Sequence, residues 1–205
     1  MSHARRIPLS RRSDIIGFQW TPAGATAHES ALERDFVTLT SFLNPAATIQ
    51  SQPITISFED RGCRRRYTPD YLVIDATDEE LVEVKYASHL KANWRRLAPA
   101  FGAASAWTET RGGRFRIATE SDIRGGLLEN AKRLLPLRSM PVDVKTAMRA
   151  LTHAHAVKGA TFGQLVELLP ERKLALATVW RLIARGELRP DLLVPITLNS
   201  VLYPR

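Results

Sequence analysis

The stretch RRRYTPDYLVIDATDEELVEVKYASH, residues 64–89, decides the fold. Asp70 opens one apolar run, and Glu83-Val84-Lys85 closes the next. Asp, Glu and Lys are poor strand residues, so a charged triplet in an apolar run marks either a site or a strand with one wet face. The polar ATDEE between the runs makes them a hairpin of paired strands. Side chains two apart on a strand point the same way, so Glu83 and Lys85 share a face and Val82 and Val84 take the other. Pairing the strands brings Asp70 to Glu83 and Lys85 on one surface.

Two carboxylates at such a point repel each other unless a cation sits between them. Hard oxygen donors favour Mg²⁺, with Mn²⁺ as a substitute, over zinc. A lysine beside them stabilises a developing oxyanion or orients a water. Glu33, on a preceding helix, offers a third carboxylate. Such a set suits hydrolysis of a phosphodiester, with one or two metal ions. Each residue also has an ordinary use: Glu33 as a solvated helix residue, Asp70 after Pro69 as a turn cap, Glu83 and Lys85 as an ion pair on a wet sheet face. The order of elements argues for the site: a helix with glutamate, a strand, Pro-Asp on a strand, Glu-x-Lys on its partner, then a helix.

Working outward, TAHESALERDFVTLTSFLN (residues 26–44) predicts a helix, with capping-box spacing from Thr26 to Glu29 and a buried stripe of Leu32, Phe36, Leu39 and Leu43. Ile54, Ile56 and Phe58 alternate as in one half-buried strand, which Pro53 starts or places at an edge. Residues 59–62 read as a turn, and CRRRYTPDYLVID as one continuous second strand. SHLKANWRRLAPAFGAASAW predicts a helix with Leu90, Trp94, Leu97 and Phe101 along one side and a kink at Pro99. Trp94 and Trp107 are expected in the core. RFRIATE reads as a fourth strand and SDIRGGLLENAKRLL as one helix. The class is mixed α/β.

The pattern changes between Pro136 and Pro141. Three helices are expected over about 142–156, 161–169 and 174–185, the second capped by Thr161. The tail GELRPDLLVPITLNSVLYP offers a two-stranded wing, so the C-terminal part reads as a winged helix-turn-helix. ATVWRLIARGEL has the shape of a recognition helix, with Arg181 and Arg185 exposed and Trp180 and Leu182 near the core. The expected organisation is a basic arm over 1–27, a nuclease-like domain over 28–135 and a winged-helix-like domain over 141–205.

The 205 residues carry a net charge of +8, which points to a polyanion partner, nucleic acid first. Arg5, Arg6, Arg11 and Arg12 suit phosphate contacts or a solvated tail. Arg64, Arg65 and Arg66, with Lys91 and Arg95 on the following helix, are candidate DNA-backbone contacts, since phosphate contacts position a duplex without reading it. The single cysteine, Cys63, excludes an internal disulfide and a multi-cysteine zinc site, and suits a cytoplasmic protein. No apolar run approaches a membrane span, and the start lacks the apolar stretch of a signal peptide.

The order and motifs resemble the PD-(D/E)xK nuclease superfamily, with its restriction-endonuclease-like core. More closely, ALERDFV, IQSQPITISF, YTPDYLV and LVEVKYA resemble the TnsA endonuclease subunit of heteromeric bacterial transposases, over roughly residues 28–120. The resemblance implies Glu33, Asp70 and Lys85 as active-site residues. Glu83 holds the acidic position, where some members carry Gln, and the Val84 carbonyl is a further metal ligand. It also implies that the chain cuts the 5′ strand of double-stranded DNA at transposon ends. A TnsB-type transposase would act on the 3′ strand, and an AAA+ regulator of the TnsC type would meet the C-terminal region. Two other readings stand beside it: a stand-alone restriction or repair nuclease of the same superfamily, and a non-catalytic DNA-binding adaptor.

Overall fold

The computed structural model describes residues 17–21 and 24–205. The chain divides into two compact units, the first ending at Arg124 and the second spanning Gly125–Arg205. Arg5, Arg6, Arg11 and Arg12 lie outside the described residues. The later part of the expected arm is a packed hairpin. Gly17–Thr21 (β1) and Gly24–His28 (β2) pair antiparallel. The Thr26 hydroxyl donates to the Ile49 carbonyl (3.1 Å), and the Tyr71 hydroxyl donates to the Ala27 carbonyl (2.9 Å).

The first helix, Ala31–Leu43 (α1), therefore starts later than its sequence pattern suggests. Ser30 is the N-cap, its hydroxyl accepting from the Glu33 N–H (3.2 Å), while Thr26 is already committed to β2. Leu32, Phe36 and Leu39 are buried as expected; Phe42 takes the place expected for Leu43, which is exposed.

The expected second strand breaks in half, and the expected first one, over Ile54 to Phe58, is preceded by a further strand. The region 48–60 forms Thr48–Ser51 (β3) and Ile56–Asp60 (β4), and the region 63–74 forms Cys63–Tyr67 (β5) and Tyr71–Ile74 (β6). The breaks fall at Pro53 and Pro69, which have no N–H to give a ladder. Between them, β4 and β5 leave the main sheet as a separate antiparallel ribbon. Its tip is the pair Arg61 and Gly62, both with positive φ (52° and 75°), as a two-residue type I′ turn requires.

The main sheet is completed by Glu79–Val84 (β7) and Arg114–Ala118 (β8), which flank the helix Ala87–Glu109 (α2). Its order is β3-β6-β7-β8, with β3, β6 and β7 antiparallel and β8 parallel to β7. This mixed sheet flanked by helices fits a nuclease fold. On one face Leu72, Leu81, Ile56 and Ala104 form a core against α2, joined by Tyr67, Trp107 and Phe115. On the other, Phe36 of α1 stacks on Tyr71 (ring centroids 5.4 Å apart). Leu81 is fully buried, and that burial contributes about 1.5–3 kcal/mol. Pro99 is accommodated inside a continuous α2. Trp94 is 52% exposed, against the expectation of a core residue, although it touches Phe101.

The helix expected over 121–135 is two: Glu120–Ile123 (α3) and Gly126–Leu134 (α4). Gly125 between them takes φ 151°, a backbone state open essentially to glycine. The units thus divide earlier than the expected boundary at 135. In the second unit, Val144–Ala156 (α5), Phe162–Glu167 (α6) and Arg172–Ala184 (α7) follow, with Thr161 capping α6. Leu188–Arg189 (β9) and Tyr203–Pro204 (β10) pair antiparallel. Arg181 and Arg185 donate to the carbonyls of Pro141 and Met140, so they hold the segment that leads into α5 against α7. Among the described residues, no helix is long and apolar enough to cross a membrane.

Candidate active site

In the β6–β7 ladder Tyr71 faces Val82 and Leu72 faces Leu81. The same register carried one residue back sets Asp70 against Glu83. Alternation places Asp70 with Leu72, and Glu83 with Leu81, on the face that packs on α2. The apolar face therefore turns polar at the ends of β6 and β7.

Asp70 accepts the Val84 N–H through Oδ2 (2.8 Å), and the same oxygen accepts from Lys85 Nζ (3.3 Å). Lys85 Nζ lies 2.9 Å from Glu83 Oε1, and it also donates to the Val84 carbonyl (3.4 Å). The Tyr67 hydroxyl donates to Glu83 Oε2 (2.6 Å). The ammonium thus sits against both carboxylates. The same strand shows what an ordinary charged sheet position looks like. Glu80 is paired with Arg114 (2.8 Å) and Arg116 (3.0 Å), and Glu79 with Arg111 (3.0 Å). Glu83 is 3% exposed, and the cation beside it is one it shares with Asp70.

The electrostatics follow from this crowding. Burial pushes Asp70 up to about 8, helped by the charge of Glu83 and opposed by Lys85; Glu33 adds a smaller upward push. Burial works against the Lys85 ammonium, but the charges of Asp70 and Glu83 outweigh it and hold Lys85 protonated well above the usual range. Burial, and then the charge of Glu83, keep Tyr67 a neutral phenol. Tyr67 is therefore a fixed donor to Glu83.

Glu33 points to the same site but does not join the cluster. Its carboxylate accepts the Glu29 N–H (2.7 Å) and the Ser30 hydroxyl (2.9 Å) in the first turn of α1. Burial raises its pKa, those hydrogen bonds oppose the rise, and Lys85 is felt as a nearby positive charge. Among the described residues, no three of His, Cys, Asp and Glu converge as a metal cage. The oxygen donors that do converge are Asp70, Glu83 and the Val84 carbonyl. They fit a hard divalent cation in kind: even beside Lys85, the Asp70 carboxylate lacks enough positive charge to ionise at its ordinary pKa.

Arg64, Arg65 and Arg66 are exposed on β5, and Lys91 and Arg95 are exposed on α2. Sequence reasoning missed Tyr67. Read as one strand, residues 63–75 would point Tyr67 and Asp70, three apart, to opposite faces. The break at Thr68–Pro69 allows both to meet Glu83. It also missed Gln52, whose backbone N–H donates to the Asp70 carbonyl (2.8 Å). The signal for both was the prolines.

The fold and this constellation define a nuclease-like domain. Residues 46–120 match the family model described as TnsA-like endonuclease N terminal, which bears out the resemblance carried by IQSQPITISF, YTPDYLV and LVEVKYA; ALERDFV, with Glu33, lies before the match. The match spans the whole main sheet from β3 to β8. The chain is therefore TnsA-like over its nuclease sheet, which implies nuclease activity on DNA and suggests an endonuclease subunit of a transposase complex. No curated protein matches the chain.

The raised pKa gives a signed prediction. The folded chain holds a proton on Asp70 up to about pH 8, whereas the unfolded chain releases it near 3.8. Stability present below the lower value is therefore lost as the pH rises toward the upper one. In metal-free protein the urea midpoint should fall from about pH 5 to about pH 8. Asp70→Asn should flatten that fall and be more stable than the parent at about pH 8, by about 1 kcal/mol or more.

Proposed function

We propose that this chain is the metal-dependent endonuclease subunit of a TnsABC-type transposase, cutting the 5′ strand at transposon ends during cut-and-paste movement. The observation that carries the reading is the meeting of Asp70, Glu83 and Lys85 at the polar end of a sheet that matches the TnsA-like family. Asp70, Glu83 and the Val84 carbonyl would hold Mg²⁺ or Mn²⁺. When bound, such an ion polarises the phosphoryl oxygen and acidifies a water.

The chain's own residues do the rest. Asp70 and Glu83 set the negative field that selects a divalent cation over a second ammonium. Tyr67 fixes the rotamer of Glu83, and the Val84 N–H fixes that of Asp70. Lys85, held protonated, donates to the phosphate or to the water that attacks it, and offsets charge as the water oxygen bonds to phosphorus and a bridging P–O bond breaks. Glu33 contributes negative charge from α1. Arg64, Arg65 and Arg66 on the ribbon, with Lys91 and Arg95 on α2, hold the DNA backbone.

In the second unit, α5, α6 and α7 followed by the short β9–β10 ribbon support the winged-helix reading. We assign this unit to contact with an AAA+ regulator of the TnsC type, and the catalytic partner is a TnsB-type transposase.

Cleavage of transposon-end DNA with Mg²⁺ tests the assignment, using the full chain alone and with its companion subunits. Asp70→Ala should lower 5′-strand cutting at least about 100-fold, because a metal site supplies several kcal/mol of transition-state stabilisation. Unchanged cutting by Asp70→Ala would refute the site. Specific cutting by the chain alone would favour a stand-alone nuclease instead. A second expectation concerns salt. Arg64→Ala, Arg65→Ala and Arg66→Ala should each make the slope of log affinity against log salt shallower, by about 0.9 for every phosphate that the arginine neutralised. An unchanged slope would remove the ribbon from the DNA interface.

A further inference from the structure

Gln52 directly follows β3, at the point where the chain leaves the main sheet for the β4–β5 ribbon. Its φ is 46°, in the left-handed region where glycine or asparagine is the usual choice. A long polar side chain kept there despite that strain calls for a reason. The side chain is 8% exposed, and Nε2 donates to Glu29 Oε1 (2.9 Å). Glu29 in turn donates its N–H to Glu33 Oε2 (2.7 Å). On the other side, the Gln52 backbone N–H donates to the Asp70 carbonyl (2.8 Å), one step beyond the Ser51–Tyr71 pair that ends the β3–β6 ladder. One residue therefore touches both routes into the acidic site: the start of α1 with Glu33, and the strand entrance with Asp70. Its remaining acceptor, Oε1, is buried, and no hydrogen-bond donor among the described residues reaches it. A buried acceptor of this kind is where a water binds.

We propose that Gln52 is a positioning residue, bracing Glu33, through Glu29, against the backbone of Asp70 and so setting how far the Glu33 carboxylate stands from the Asp70–Glu83 pair that faces the metal. The proposal rests on the reading that Asp70 and Glu83 bind a divalent cation. It assigns Gln52 no contact with the DNA or with the reacting atoms.

The test uses Mn²⁺ alone as the probe and the melting temperature of the full chain as the readout, so no cleavage is needed. Gln52→Gly suits the left-handed backbone and removes only the brace. It should melt close to the parent without metal, yet need about tenfold more Mn²⁺ for a half-maximal rise, the low end for loss of an outer-shell group that orients a metal site. Gln52→Glu sets two carboxylates against each other and should weaken Mn²⁺ binding similarly. Adding Glu29→Gln to Gln52→Glu remakes the same hydrogen bond with donor and acceptor exchanged. It should bring the Mn²⁺ midpoint back to within about twofold of the parent, as coupled neighbours do.

A parental midpoint in Gln52→Gly overturns the proposal, whether or not its metal-free melting temperature falls. So does a Gln52→Glu defect that Glu29→Gln leaves unrepaired, and this pair decides the matter if Gln52→Gly fails to fold. Asp70→Ala separates the two levels. If it abolishes the Mn²⁺ response while Gln52→Gly keeps the parental one, only the brace is wrong. If Asp70→Ala responds to Mn²⁺ like the parent, the metal-site reading fails and the brace falls with it.

Discussion

Asp70 and Glu83 are set opposite each other at the end of the β6–β7 ladder, and burial makes their mutual repulsion expensive. The surroundings are arranged around that conflict. Lys85 supplies one positive charge to both carboxylates, Tyr67 ties down one oxygen of Glu83, and the Val84 N–H ties down Asp70. The compensation is incomplete: the pKa of Asp70 stays high, so the metal-free chain holds a proton there at neutral pH. A site that holds a proton for want of positive charge is suited to exchange it for a divalent cation.

The same conflict explains the local fold. The charged end of the ladder is reached only because the chain leaves the sheet at Gln52 and re-enters it at Asp70. The ribbon between them, β4 and β5, carries Arg64, Arg65 and Arg66 outward while Tyr67 turns inward to Glu83. Leu72 and Leu81 anchor the same face a few ångströms along the strands, so the positions of the carboxylates are fixed by core packing rather than by a loop. On the opposite face, Tyr71 links Phe36 of α1 to β2, which holds the Glu33-bearing helix against the sheet.

Much of this was legible in the sequence. The β6–β7 hairpin was readable because its alternation has period two and its turn is polar. The order β7, α2, β8 is readable because a helical pattern sits between two apolar runs, while the parallel pairing of β8 with β7 has no local sequence signal. The misreadings have specific physical causes. Pro69 breaks the run that reads as one strand over residues 63–75, while β3, on the far side of Pro53, carries in TIQS a single apolar residue to signal it. Thr26 to Glu29 has capping-box spacing, but so has Ser30 to Glu33, and the second pair caps α1. That competition is invisible until β2 is known to be a strand. Trp94 sits at helical spacing with Leu90 and Phe101, yet its ring is half exposed on a face where Lys91 and Arg95 are also exposed. Glu33 was expected as a full member of the cluster. Its hydrogen bonds to the turn before it keep it in the field of the site without joining its contacts.

The proposed metal site requires that Asp70 gives up a proton to a divalent cation. Calorimetric titration of the full chain with Mg²⁺ near pH 7, repeated in two buffers of different ionisation enthalpy, measures that exchange directly. Binding should release close to one proton per chain, and Asp70→Asn should abolish that release. Equal heats in the two buffers, or a release that survives Asp70→Asn, would contradict that requirement.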